Sequence, residues 1–169
     1  MRLYKEENGY YALQAAETII VIDDLHSIFH EAGVSILSDT DYFISDSEND
    51  YNILIEYKNG VIEKAVQKNS FNPNQDKYIN KVARKFYDTM LYLNHMGFKK
   101  PFKYVYILEY PNDDAAIRKS IRNKIVSLLP FKLQNKSNME FDMISDFEVL
   151  SIDEWNTNYP DYPFVRIKQ

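Results

Sequence analysis

A long amphipathic helix between two apolar strand segments is the feature that most constrains the fold of this chain. Residues 75–96 carry apolar side chains at close to a 3.6-residue period and end at Gly97; these side chains are Tyr78, Ile79, Val82, Phe86, Met90, Leu93 and Met96. Residues 51–58 and 102–110, on either side, are rich in aromatic and β-branched residues and are predicted to be strands. We expect this helix to be a crossover connection that follows a run of antiparallel hairpin strands, on a mixed sheet flanked by helices.

The other periodicities predict more strands and two further helices. Strands are predicted at 10–14, 18–22, 40–46, 61–67 and 147–152, with a last short run at 164–167. Segment 18–22 is expected to be buried, and Asn59-Gly60 is expected to form a hairpin turn before 61–67. Helices are predicted over 24–32 and 113–128, a mobile loop over 134–146, and a turn-rich segment over 153–163. The fold class is therefore α/β (α+β), a central mixed β-sheet flanked by helices, in a single domain that covers residues 1–169.

The composition argues against several classes of protein. With no cysteine, the 169-residue chain has no disulfide, no thiol nucleophile and no thiolate zinc site. This composition fits a reducing compartment, and we expect a cytoplasmic location. We expect no secretion signal, because the first residues lack an apolar core, and no membrane association, because no apolar run approaches the length of a span. The 4 glycines also argue against a glycine-rich nucleotide-binding loop.

The charge is distributed unevenly along the chain. The net charge of −5 argues at first against a nucleic-acid partner. Residues 1–76 hold 5 basic and 14 acidic side chains, residues 77–136 hold 13 basic and 4 acidic ones, and residues 137–169 hold 2 basic and 7 acidic ones. The net charges of the three blocks are therefore −9, +9 and −5. A basic block directly after an acidic one is compatible with a polyanion partner, although a solvated helix face has the same composition.

Two carboxylates are predicted to meet at the ends of neighbouring strands. Asp41 opens the strand at 40–46, and Glu56 and Lys58 lie near the end of the strand at 51–58. Since side chains alternate across a strand, Glu56 and Lys58 point to one face. A tight turn at 47–50 places Asp41 beside Glu56. Two carboxylates and the backbone carbonyl of Tyr57 are suitable ligands for Mg²⁺ or Mn²⁺, and Lys58 is suited to orient or deprotonate a water molecule. An exposed Glu56–Lys58 ion pair without function is the alternative.

At these residues the sequence resembles the PD-(D/E)xK nuclease superfamily. The matching residues are Asp41, Glu56 and Lys58, and the resemblance covers about residues 23–110. It implies a restriction-endonuclease-like core of a helix, a β-meander, a helix and a strand, with a C-terminal helix and strand added to it. It also implies a Mg²⁺- or Mn²⁺-dependent nuclease in defence, repair or mobile-element biology. Some members have an acidic residue on the first core helix, for which Glu31 is the best match. Gln67 and Gln75 are candidates for a further polar motif.

The middle block supplies candidate contacts to a phosphate backbone. Helical spacing places several basic residues of 75–96 on one exposed side, and two lysines follow the helix; the candidates are Lys77, Lys81, Arg84, Lys85, Lys99 and Lys100. A solvated face remains the alternative for this charge run. His26 and His30 have a spacing able to bind zinc, but with no cysteine as a further ligand we favour a structural role.

Two functions remain open from the sequence. The first is a metal-dependent nuclease whose partner is nucleic acid, DNA rather than RNA, with Asp41, Glu56 and the Tyr57 carbonyl as metal ligands. A homodimer is compatible with this function. The second is a catalytically inactive protein of the same fold, such as an immunity protein, antitoxin or nucleic-acid mimic, whose acidic blocks bind a partner protein. The arrangement of Asp41 and Glu56 separates the two functions, because only the first requires converging carboxylates.

Overall fold

The computed structural model describes residues 1–61, 71–111 and 114–167. The strands are β1 (Arg2–Lys5), β2 (Tyr11–Ala15), β3 (Ile20–Ile22), β4 (Tyr42–Ser45), β5 (Asn52–Asn59), β6 (Phe102–Glu109), β7 (Ile144–Leu150) and β8 (Phe164–Arg166). The helices are α1 (Leu25–Glu31), α2 (Asp76–His95), α3 (Ala115–Val126), α4 (Phe131–Gln134) and α5 (Ile152–Asn158). Nearly all of the strand predicted at 61–67, with Gln67, lies outside the described residues.

The strands form two sheets. The larger is a mixed sheet of five strands in the order β3-β4-β5-β6-β7, in which β3, β4 and β5 are antiparallel neighbours and β5, β6 and β7 are parallel. Helix α2 connects β5 to β6, and α3 precedes β7, as expected for crossover connections between parallel strands. The smaller sheet has three antiparallel strands in the order β1-β2-β8. The predicted mixed sheet flanked by helices is therefore confirmed.

Each face of the five-stranded sheet is covered by a different layer. On one face Phe43, Leu54 and Tyr104 pack against α2 and α3, where Phe86 and Ile121 are fully buried. Residues of β4, β5 and β6 on the other face pack against the three-stranded sheet and α5; this core includes Tyr42, Ile44, Ile55, Ile107, Leu13, Phe164 and Trp155. Each such buried apolar side chain stabilises the fold by roughly 1.5–3 kcal/mol. The alternation of side chains along β5 therefore directs residues 54, 56 and 58 towards α2.

Several local predictions are wrong. The hairpin turn at Asn59-Gly60 is replaced by parallel pairing: Asn59 belongs to β5 opposite Glu109, and the Gly60 N–H donates to the Glu109 carbonyl at 2.7 Å. The positive-φ glycines of the described residues are Gly9, Gly33 and Gly97, so Gly60 lacks the conformation that a primed turn requires. Segment 18–22 is an edge strand with Ile20 51% exposed, because a strand at the edge of a sheet has a neighbour on one side alone.

The C-terminal region contains more regular structure than predicted. Helix α4 ends at the first residue of the loop predicted at 134–146, β7 begins within that loop, and α5 covers the first half of the turn-rich segment predicted at 153–163. Helix α5 begins with a capping box, in which the Ser151 side chain accepts from the Glu154 N–H and the Glu154 carboxylate accepts from the Ser151 N–H. None of the helices in the described parts of the chain combines the length and apolarity needed to cross a bilayer.

Candidate active site

The register of β4 and β5 brings the two predicted carboxylates together. Tyr42 pairs with Ile55 and Phe43 with Leu54, so the same register continued by one residue places Asp41 beside Glu56. Both side chains lie on the sheet face that α2 covers, since residues 43 and 54 of the same strands point into that core. The sequence prediction that Asp41 and Glu56 are neighbours therefore agrees with the register.

A backbone hydrogen bond fixes Asp41. Its Oδ2 accepts from the Tyr57 N–H at 2.6 Å, two residues beyond Ile55, where the β4–β5 pairing ends. In an extended strand the carbonyl of a residue points to the same edge as its own N–H. The Tyr57 carbonyl is therefore directed to the edge of β5 where Asp41 lies, as expected from the sequence.

The ammonium group between the carboxylates belongs to Lys85 of α2. Its Nζ lies 2.7 and 2.9 Å from the two oxygens of Glu56 and 3.9 Å from Oδ1 of Asp41. The side chains of Lys85 and Glu56 are 12% and 10% exposed, whereas that of Asp41 is 37% exposed. Two carboxylates thus share one positive charge, with Glu56 buried and Asp41 partly exposed.

Burial and mutual repulsion control the ionisation of these groups. Burial, followed by the charge of Asp41, raises the pKa of Glu56 to about 8, although Lys85 opposes the shift. Burial also raises the pKa of Asp41, against the charge of Lys85 and the Tyr57 N–H. Burial alone lowers the pKa of Lys85, but the charges of Glu56 and Asp41 outweigh this effect and raise it. Lys85 is therefore a permanent cation, and the carboxylate pair retains a proton more readily than an exposed pair.

Lys58 does not occupy the position between the carboxylates. It lies on β5 two residues after Glu56 and is exposed, with its Nζ 5.5 Å from the centroid of the Phe71 ring. The sequence predicts a lysine beside the acidic pair, and the structure supplies one from helix α2. The prediction that Lys85 is an exposed phosphate contact is wrong. Its side chain points inward to Glu56 rather than to the solvated side of the helix.

Helix α2 also holds the segment that precedes Asp41. The Thr40 N–H donates to the Thr89 Oγ1 at 3.0 Å, and the Ser38 N–H donates to the Asp88 Oδ2 at 2.9 Å. Arg84 donates to the same Asp88 oxygen at 3.2 Å and to the carbonyl of Ile36. One helix therefore positions both the start of β4 and the cation of the site. The helical spacing of Arg84, Lys85, Asp88 and Thr89 is the sequence pattern that indicates these contacts. The same pattern is typical of an exposed helix face.

The remaining basic candidates divide between two ends of the sheet. Lys77 and Lys81 are exposed on α2, and the charge of Lys81 lowers the pKa of Glu56. Lys99 and Lys100 precede β6, and even the start of β5 beside Phe102 lies roughly 13 Å from Glu56 at about 3.3 Å per strand residue. Lys100 Nζ donates to the carbonyl of Asp46 at 3.0 Å and to that of Asn49. We therefore correct the expectation that Lys99 and Lys100 flank the acidic pair.

The other candidate ligands are not assembled into a larger cluster. In the described part of the chain, no three His, Cys, Asp or Glu side chains form a group that could hold a metal ion. Glu31 is exposed at the end of α1, so its assignment as a third acidic ligand is not supported. His26 Nδ1 lies 3.1 Å from Asp39 Oδ1, and Gln75 is the N-cap of α2 without a side-chain cap. The site consists of Asp41, Glu56, the Tyr57 carbonyl and Lys85.

No family model, curated protein or solved structure matches this chain. The functional argument therefore rests on the geometry of the site and on the sequence pattern.

Proposed function

We propose that the chain is a metal-dependent nuclease of the PD-(D/E)xK type that hydrolyses phosphodiester bonds, with DNA as the preferred substrate. The observation that carries this proposal is the convergence of Asp41 and Glu56 on one ammonium group at the end of two paired strands. A restriction-endonuclease-like core, extending from α1 through β6, is part of the same proposal. A cytoplasmic location agrees with the absence of cysteine.

The donor set suits a hard divalent cation. Asp41 Oδ1, a Glu56 oxygen and the Tyr57 carbonyl are oxygen ligands from adjacent positions on two strands. Mg²⁺ typically takes one or two carboxylates and completes an octahedron with water and phosphate oxygens, so a third acidic side chain is not required. When bound, such a cation lowers the pKa of a coordinated water and neutralises charge on the phosphate.

The residues of the chain have separable tasks in this reaction. The Tyr57 N–H orients Asp41 through its Oδ2, which leaves Oδ1 directed towards Glu56 and Lys85. Lys58 is exposed on the same face as Glu56, where its Nζ is suited to hold a water molecule or a phosphate oxygen. Lys77 and Lys81 are exposed on α2 and are suited to neutralise phosphates that flank the scissile bond.

A cleavage assay tests the proposal. Wild-type protein is incubated with supercoiled plasmid, single-stranded DNA and structured RNA, in millimolar Mg²⁺ or Mn²⁺ and in EDTA. We expect metal-dependent cleavage that Asp41→Asn and Glu56→Gln each reduce by at least about a hundredfold, since a metal site contributes several kcal/mol. Asp50→Asn and Glu48→Gln, at exposed positions in the β4–β5 turn, are matched controls that should cleave normally. Equal cleavage by all four variants would indicate a contaminant and refute the assignment.

A second candidate is a catalytically inactive protein of the same architecture that binds a basic partner. The observation that favours it is the Lys85 ion pair, which offsets one of the two charges of the acidic pair internally, together with net charges of −9 and −5 in residues 1–76 and 137–169. In that case the wild type cleaves none of the three substrates, and the variant proteins are indistinguishable from it. Salt-dependent binding to a basic protein would then support this candidate.

A further inference from the structure

The position of Lys85 has a consequence for metal binding. Its Nζ lies within hydrogen-bond distance of both Glu56 oxygens and 3.9 Å from Asp41 Oδ1. We propose that Lys85 is a built-in counter-ion that competes with the divalent cation for Asp41 and Glu56, so that metal binding requires displacement of its ammonium group. This inference rests on the proposed nuclease function for its metal, but it concerns a residue outside the motif that suggested that function.

The geometry leaves little room for both cations. Mg²⁺ binds carboxylate oxygens at about 2.0–2.1 Å, so a cation on Glu56 would lie only a few ångströms from the ammonium that already contacts both oxygens of that side chain. Two like charges at such a distance repel strongly even at an effective dielectric constant of about 20. Either Lys85 moves or the metal is excluded.

The charge balance points the same way. Asp41 and Glu56 carry two negative charges when both are ionised, and Lys85 offsets one of them. A divalent cation offsets both, so Lys85 has no remaining partner in the pair once the metal is bound. Asp41 is 37% exposed, which gives a cation an approach from solvent, and the long side chain of Lys85 provides the means to move outward. Lys85 is thus a positioning residue that holds the carboxylates in place before the metal arrives.

Chemical modification of the wild-type protein tests the displacement directly. Lysines are acetylated with a brief pulse of reagent, with and without Mg²⁺, and each site is quantified by mass spectrometry. Lys85 is shielded without metal, at 12% exposure, and we expect Mg²⁺ to increase its rate of acetylation. Lys119, exposed on α3, is the internal control whose rate should stay the same. An unchanged rate at Lys85 under saturating Mg²⁺ would overturn the proposal.

Metal affinity provides a second readout that does not depend on cleavage. We expect Lys85→Met to bind Mn²⁺ at least about tenfold more tightly than wild type in calorimetry, because a nearby like charge is removed. Lys119→Met on α3 should differ from wild type by less than about twofold, since its charge is exposed and screened. Circular dichroism verifies that both variants are folded, and the acetylation result stands without them. Equal affinities of Lys85→Met and wild type would refute the competition.

The two proposals fail in different ways. Cleavage by the wild type, with no gain of Mn²⁺ affinity in Lys85→Met, would leave the nuclease function standing and remove the role of Lys85. A gain of affinity without cleavage of any nucleic acid would support the counter-ion and refute the nuclease.

Discussion

The raised pKa of Glu56 predicts an unusual dependence of stability on pH. The ordinary pKa of this carboxyl is 4.5, and in the folded protein it is about 8. Between these values the unfolded chain is ionised at Glu56 while the folded chain retains the proton, so the folded state binds more protons. The free energy of unfolding therefore falls as pH rises through this interval.

The magnitude follows from the two pKa values. Integrating the linkage relation for one group between pH 5 and pH 8 gives a loss of about 3 kcal/mol at 1.36 kcal/mol per pKa unit. Glu56 is buried, so solvent screening reduces this figure little. Asp46 and Glu154 have lowered pKa values, and their contributions change in more acidic solution, outside this interval. Lys85 has a raised pKa and remains protonated throughout.

Denaturant unfolding at several pH values without divalent cations measures the effect. We expect the wild type to lose stability between pH 5 and pH 8, and Glu56→Gln to lose much less, because the amide keeps the shape of the side chain but does not titrate. Asp41, whose pKa burial also raises, is present in both proteins and gives the variant its smaller remaining loss. A Glu56→Gln curve parallel to that of the wild type would refute the reasoning, as would a wild type that gains stability over this interval relative to the variant.

Three further predictions concern the supports of the site and the fold. Thr89→Val should lower the free energy of unfolding by about 1–3 kcal/mol in denaturant titrations, because it leaves the buried Thr40 N–H without its acceptor. Lys100→Met should cost about 1.5–3 kcal/mol, because its charged hydrogen bonds to the β4–β5 turn are lost, whereas Lys99→Met should change stability by less than about 0.5 kcal/mol. Ser151→Ala should cost about 1 kcal/mol through loss of the α5 cap, and a change within error would contradict the assigned capping box.

The register of the central strands could be predicted because local rules determine it. Alternation along β4 and β5, with a turn at 47–50, required Asp41 and Glu56 to lie near each other, and the observed pairing of Tyr42 with Ile55 satisfies that requirement. Helix α2 could be predicted equally well from the sequence. Its apolar stripe is long and regular, and Gly97, with a φ of 98°, follows the end of the helix.

The source of the ammonium could not be predicted in the same way. The local sequence of a helix does not distinguish a lysine that contacts Glu56 from a lysine in solvent. The rotation of α2 about its axis against the sheet determines which lysine faces Glu56. The sequence therefore favoured Lys58, which is near Glu56 along the strand, over Lys85, which is near it in space. Helix α5 is different, because the capping-box spacing of Ser151 and Glu154 is a local signal that the sequence itself contains.

The pairing of β2 with β8 has a consequence for the order in which the protein forms during translation. Tyr11 pairs with Arg166, so β2 leaves the ribosome about 150 residues before β8, its second neighbour, is made. At roughly 5–20 residues per second, this interval is on the order of 10 s. Trp155 and Phe164, which cover one face of the five-stranded sheet, are also made long after β4 and β5. The apolar face of β4 and β5 therefore stays incompletely covered until residue 164 has been synthesised, which leaves it open to chaperone binding.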